Sequence, residues 1–438
     1  MNAPRVLVLA SALAAVVGAT SAASAATDQP GYHHRKRNVN VSAKAASQNE
    51  ATVAVNPLDA SDILIASNDV SGSNEPVAYE SLDGGRSWTV QAIAIAGTCA
   101  DPWLHFDDAG DAFFSYLCFI NGQITLGYAY RLHGAGAWTA TTFTPALTGG
   151  LPDRDMVTSD DTPASPYHGS VYIGYTSDAT NTAYVLYSRN GTTGWTRSGA
   201  INDASSAIGV NVAVAPDGSV HATWLDWPRG RIMTDTSTDG GATWGTDHRV
   251  VRLNTDTSNV FVSIPPQQDR GIVLMPFSVA SPAGTAHAGR LYVTYEDTNA
   301  SGGPDTNVYV THSRDGSIWS KPVQVDDDGT GAYQFFPAIA VAPNGTVGLS
   351  FYDTRNDPAN HMTDQYVSFS ADGGRTWSPN ARVTTAPSDE TGPHDPNQYG
   401  DYEGLAASPT NAFVDAWTDS RPGNLNEDLF FARVKAPW

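Results

Sequence analysis

The sequence predicts an all-β fold built from seven copies of one antiparallel unit, and three recurring features predict it. A short apolar strand closing on an aromatic, one further residue and Asp returns as Trp224-Leu225-Asp226, Tyr295-Glu296-Asp297, Phe351-Tyr352-Asp353 and Trp417-Thr418-Asp419. Looser copies end at Asp69 and Asp178, and Tyr116-Leu117-Cys118 fills the remaining slot. A second apolar strand enters each copy through a tight turn, such as Pro216-Asp217-Gly218 or Pro343-Asn344-Gly345, which favours a hairpin. A third strand follows and runs into a turn closed by Trp. Trp88, Trp138, Trp195, Trp244, Trp319 and Trp377 each stand 17 to 24 residues beyond their strand end. Such a period marks a repeat architecture, each repeat being one supersecondary unit that needs its neighbours to bury its face.

The Trp-closed turns share a strict frame. Ser81-Leu82-Asp83-Gly84-Gly85-Arg86-Ser87-Trp88 is matched by Ser237 to Trp244 around Asp239 and by Ser370 to Trp377 around Asp372. Ser313 to Trp319, around Asp315, is one residue shorter; Ser188 to Trp195 has Asn190 for Asp, and Arg131 to Trp138 keeps only glycine and Trp. In such a turn the carboxylate accepts from nearby backbone N–H groups, glycine takes positive φ, and Trp supplies an apolar plug. The last unit offers only three strands, within 401–407, 412–419 and 428–434. Asn38 to Ala43 is expected to add the fourth and close the ring, which removes an open sheet edge.

The N-terminus has another character. Arg5 precedes an apolar run from Val6 to Val17 and the small-residue sequence Ala23-Ser24-Ala25, so residues 1–25 read as an export signal. Residues 26–37 read as a flexible basic tail, leaving 38–438 as a single domain. No later run is long and apolar enough to span a bilayer, so the expectation is a secreted, soluble protein. Its two cysteines, Cys99 and Cys118, are expected to be bridged in that compartment. Lys and Arg number 24 against 45 Asp and Glu, a net charge of −21, which repels nucleic acid.

The S-x-D-x-G-x-T-W turn resembles the Asp box, or BNR repeat, of the sialidase superfamily, with recognisable boxes from Ser81 to Trp377. That resemblance implies a β-propeller of four-stranded blades, with the Asp box between the third and outermost strands. The repeat count gives seven blades; sialidases have six, which is the alternative. In a propeller, inner strands start on the face opposite the Asp boxes, so Glu50, Asp101, Asp155 and Asp401 at those starts should converge on one rim. Asp69, Asp178, Asp226, Asp297, Asp353 and Asp419 close the second strands on that rim, where capping of local backbone is the simpler account of their recurrence.

Sialidases use a Tyr nucleophile paired with Glu and a separate Asp acid, and the resemblance places these at Tyr399 or Tyr402, with Glu403 or Glu296, and Asp101. Strand alternation would send Tyr402 and Glu403 to opposite faces. An arginine set gripping a sugar carboxylate would be drawn from Arg154, Arg229, Arg355 and Arg421, although each has a nearby Asp. The implied function is an exo-α-sialidase-type glycoside hydrolase acting as a monomer on a glycan or glycoconjugate. The alternative is a non-catalytic propeller that binds glycan or protein outside the cell. No zinc or Ser-hydrolase spacing occurs, so no cofactor is expected. Asp326-Asp327-Asp328 offers carboxylates to calcium, with a solvated loop as the simpler reading.

Overall fold

The computed structural model describes residues 37–438 except 71–74, 205, 301–302, 393–396 and 422–425; the expected export signal and nearly all of the expected basic tail lie outside the described residues. Seven antiparallel sheets form the blades of a propeller. Their inner strands are Gln48–Val55, Thr98–Phe106, Pro152–Ser159, Ile208–Val214, Phe277–Ala280, Gln334–Val341 and Gly404–Ala407, numbered here as blades 1 to 7. The second strands end at Asp69, Ile120, Ser177, Asp226, Thr298, Asp353 and Asp419, close to the predicted strand ends. Blade 7 takes its outer strand from the N-terminal Val39–Asn40, with Val39 opposite Phe431 and Asn40 opposite Phe430. The ring is therefore closed by pairing its two ends, as expected.

The core lies between blades rather than within one. Tyr172 and Val185 of blade 3 pack on Val210, Val212 and Trp224 of blade 4, and Ile63 and Tyr79 of blade 1 on Val414 and Phe431 of blade 7. Burial of these apolar faces fixes each sheet against its neighbour. Cys99 and Cys118 are register partners on the first two strands of blade 2 and form the expected disulfide.

The Asp-box turns carry the predicted hydrogen bonds. Asp83 accepts from the N–H groups of Arg86 and Ser87 at 2.8 and 3.0 Å and from the Ser87 hydroxyl at 2.7 Å. Asp239, Asp315 and Asp372 accept from their own turns in the same way. The glycines have a second reason that the sequence did not display: the turn lies on the preceding blade. A Cβ on Gly85, whose φ is +85°, would sit 2.1 Å from the ring of Phe431 in blade 7. Arginines of the preceding blade also pin these turns, Arg189 donating to the Gly240 carbonyl and Arg290 to that of Gly373, each at 2.8 Å.

One backbone device positions the other face. The inner strands of blades 1, 2, 3, 4 and 6 each break register near their start, between Asn49 and Thr52, Ala100 and Trp103, Asp153 and Met156, Ile208 and Asn211, and Phe335 and Ala338. The residue at the break is left-handed in every case: Glu50 (φ 60°), Asp101 (56°), Arg154 (52°), Gly209 (65°) and Phe336 (49°). Such bulges bend a strand and re-aim its side chains. Four of these five positions hold a side chain that disfavours this backbone, a strain that concentrates at the propeller axis.

Candidate functional site

The bulges gather charged groups at the strand-start end of the axis. Arg154 of blade 3 reaches Asp401, ahead of blade 7, with Nη2 at 3.1 Å from Oδ2, and also pairs with Asp153. Arg270 grips the same Asp401 through Nε at 3.0 Å and Nη2 at 2.8 Å, and lies 3.4 Å from Glu50. Asn68 donates to Glu50 at 2.8 Å and accepts from the Asp101 N–H at 2.9 Å. Burial opposes ionisation of Asp401, but Arg154 and Arg270 outweigh it and hold the carboxyl below its usual range. Burial, and then Asp401, pushes Glu50 up; burial, Glu50 and Asp153 push Asp101 well up. The cluster is a carboxylate clamped by two guanidiniums, beside carboxyls whose ionisation burial disfavours.

Arg270 was not among the expected site residues. It lies on a two-stranded hairpin, Val262–Ile264 and Gln267–Ile272, inserted between blades 4 and 5. Gln267 donates to the Gly400 carbonyl at 2.9 Å, and Gln398 accepts from the Asp269 N–H at 3.1 Å. This binds the hairpin to the 398–403 segment over the axis. The only sequence trace of it is the long interval between the blade 4 strand ending at Arg252 and the blade 5 strand starting at Phe277.

The structure places the proposed catalytic residues around this region without joining them into a dyad. Tyr399 is fully buried, its hydroxyl donating to Ser388 at 3.1 Å and lying 2.8 Å from that of Thr363. Tyr402, also buried, donates to the Pro102 carbonyl at 2.9 Å. Its ring packs edge-on against Trp103, which stacks on Phe277. These three rings form a partition across the axis. Glu403 turns away, toward Asp415 and Tyr352; it and Tyr402 precede the inner strand, which starts at Gly404, so strand alternation does not set their directions. Burial first, and then Asp415, raises its carboxyl well above the usual range, and burial does the same for Glu296. The side chains of Tyr352 and Gln365 face the Glu403 carboxyl. The Pro393–Pro396 part of the loop entering blade 7 lies outside the described residues.

Of the four expected arginines, Arg154 alone reaches the axis. Arg229 pairs with Asp226, Arg355 with Asp353 and Asp327, and Arg421 with Asp419, each near the end of its own second strand. The local ion pairs are what forms. The three candidate calcium carboxylates also diverge: Asp326 accepts from Val308 N–H and Gln324, Asp327 from Arg355 and Asn380 N–H, Asp328 from Thr330 and Gln334. No group of three or more acidic, His or Cys side chains fit for a metal occurs among the described residues.

Below the aromatic partition the axis is hollow. A cavity of about 410 Å³ is lined by the inner strands of all seven blades, from Trp103, Phe277 and Glu403 at its floor to Pro57, Asp108 and Asp161 beside the Asp-box face. Its walls are largely aliphatic, including Val53, Leu104, Val212, Ile339 and Leu405. Its mouth is polar: His105 lies 2.6 Å from the Ser159 hydroxyl and 3.5 Å from Asp161, to which Ser159 also bonds, and His168 lies 2.9 Å from Asp108. No described helix is long and apolar enough to cross a membrane.

Residues 289–393, covering most of blade 5 and all four strands of blade 6, match the BNR repeat-like domain. No curated protein matches the chain. Among solved structures it is similar to the intramolecular trans-sialidase from Ruminococcus gnavus in complex with oseltamivir carboxylate, at 12% identity over 76% of this chain and 97% of that one, with a TM-score of 0.50. It is also similar to a mutant NanB sialidase from Streptococcus pneumoniae, at 10% identity over 75% of this chain and 69% of that one, with a TM-score of 0.52. A protein of unknown function from Dyadobacter fermentans aligns with 93% of this chain and 100% of its own at 12% identity and a TM-score of 0.49. At these identities the likeness is one of fold: the chain is a seven-bladed, sialidase-like β-propeller with a BNR repeat-like region.

Proposed function

We propose that this protein is a secreted, non-catalytic propeller that binds glycan in its axial channel. The observation that carries the reading is the state of the opposite rim, where Asp401 of the chain itself fills the fork of Arg154 and Arg270. A sialidase-type reaction needs open guanidiniums for a substrate carboxylate, and a Tyr hydroxyl whose proton a carboxylate can take. Here Tyr399 and Tyr402 are buried and bonded to neutral oxygens. The channel supports binding instead: a half-open hollow with aliphatic walls and a few polar groups at its mouth suits the C–H faces and hydroxyls of a sugar. Glycan as the ligand class is taken from the fold's kinship with sialidases.

Calorimetric titration with 3′-sialyllactose, lactose and neutral oligosaccharides tests this. The expected result is saturable binding of at least one glycan without cleavage, weakened about tenfold by His105→Ala through loss of a mouth hydrogen bond. Binding that His105→Ala and Asp161→Ala leave unchanged would remove the channel from the account.

A further inference from the structure

Blades 2, 3 and 5 share a construction on the Asp-box face, and blade 4 departs from it. The second residue of the second strand is Phe113 in blade 2, Tyr172 in blade 3 and Tyr292 in blade 5, and each ring lies under a glycine of the next blade's turn: Gly191, Gly241 and Gly374. In blade 4 the same position is His221, under Gly316 of the shortened box of blade 5. A smaller polar ring under a shorter turn leaves the junction unfilled. A cleft of about 700 Å³ opens there, between the 215–219 turn of blade 4 and the 286–290 loop of blade 5.

Its lining is built for an anion. His221 is buried, and its nitrogens lie 3.0 Å from the Ser219 hydroxyl and 2.9 Å from that of Thr236, so it presents a hydrogen-bonding wall where blades 2, 3 and 5 present an aromatic face. Burial pushes the imidazole down to about 4, so it is neutral. Arg290 is only 4% exposed; one nitrogen holds the Gly373 carbonyl, and its Nε has no partner among the described residues. An unpaired buried guanidinium N–H is costly unless something accepts from it. Arg314, exposed at the cleft edge, makes no hydrogen bond or ion pair among the described residues. Burial and the cations Arg290, Arg375 and Arg314 depress His287 on the same wall, which marks a locally positive field in a chain of net charge −21. The two carboxylates at the margin are engaged by their own turns, Asp217 by Ser219 and Asp315 by the N–H groups of Ser317 and Ile318.

We propose that this cleft is a second ligand site, separate from the axial channel, which takes the oxyanion of an acidic saccharide. Arg290 Nε and Arg314 meet the carboxylate or sulfate, and the hydroxyls of Ser219, Thr236 and Thr238 meet the sugar. The proposal stands whether or not the channel binds glycan. Calorimetric titration at low salt with glucuronate, glucose 6-sulfate, glucose and inorganic sulfate tests it. Binding of glucuronate or glucose 6-sulfate is expected, the stronger of the two identifying the anion, with glucose and inorganic sulfate at least about tenfold weaker. Arg314→Ala, at an exposed side chain without partners, should weaken binding about tenfold with the melting temperature unchanged. His221→Tyr, which restores the recurring aromatic, should abolish it. His105→Ala at the channel mouth should leave it intact. The proposal is overturned if neither acidic sugar binds, if glucose or sulfate binds equally well, or if Arg314→Ala binds like the wild type.

Discussion

At the Asp-box face, the carboxylates of Asp83, Asp239, Asp315 and Asp372 stand near water, each saturated by the N–H and hydroxyl groups of its own turn. Hydrogen bonds to Ser317, Ile318 and Ser313 hold Asp315 down at about 2 even against what burial it has. At the opposite end of the inner strands, Glu50, Asp101, Asp155 and Asp401 are gathered on the axis from blades 1, 2, 3 and the entry to blade 7. There burial and mutual repulsion raise three of the four, and two arginines keep the fourth ionised. The same residue type thus does local backbone work where it recurs, and makes a single long-range assembly where it does not. The contrast separates what the repeat needs in order to fold from what is particular to this chain.

Breaking the axial assembly should have the largest effect. Arg154→Ala would leave the buried carboxylate of Asp401 and the half-buried one of Asp153 short of a counter-ion, at a cost of about 3–5 kcal/mol and a drop in melting temperature of about 4–6 °C. Thermal unfolding followed by circular dichroism reads it. Replacing Cys99 and Cys118 by Ser should cost about 3 kcal/mol, since the bridge closes a short loop in the unfolded chain. Denaturant titration of the double variant, with and without reductant, checks this; reductant should affect only the wild type.

The pH profile sharpens the comparison, because the buried carboxyls and the water-facing Asp-box carboxyls oppose each other. Burial raises Asp107, Asp178, Asp235, Asp353 and Asp419 to about 6, and Asp326 and Asp415 to about 7. A raised carboxyl binds its proton more tightly in the fold than in the unfolded chain, so its stabilisation is full below the unfolded value, near 4, and is lost as pH climbs through 6 and 7. The lowered Asp-box carboxyls Asp315 and Asp372, both about 2, stabilise above the unfolded value and lose that contribution as pH falls toward 2. Melting temperature should therefore peak at about pH 4–5 and fall by about 5 °C by pH 7.5. Asp372→Ala, the smallest expected change, should cost about 1 kcal/mol and flatten only the acid limb.

What the sequence made legible follows the same division. The seven units, the Trp-closed turns and the end-to-end closure rest on chemistry within a few residues or on a fixed period, so they can be read from a linear string. The local pairs Asp353 with Arg355 and Asp419 with Arg421 were visible for the same reason. The meeting of Arg154 with Asp401 and Arg270 joins residues far apart in the chain, and Arg270 sits on an insertion that belongs to no repeat. Tyr402 and Glu403 precede the strand that starts at Gly404, so alternation could not assign their faces, and nothing in a strand pattern shows that Tyr399 ends its hydroxyl on Ser388. His221 belongs to no motif in the linear sequence; its meaning lies in standing where neighbouring blades carry an aromatic.

The central claim, that the strand-start rim is closed on its own Asp401 and performs no glycoside chemistry, is tested most directly by incubating purified protein with a fluorogenic α-sialoside from pH 4 to 8. Fluorophore release no faster than in buffer is the predicted result. Release that disappears in Tyr402→Phe or Tyr399→Phe would contradict it.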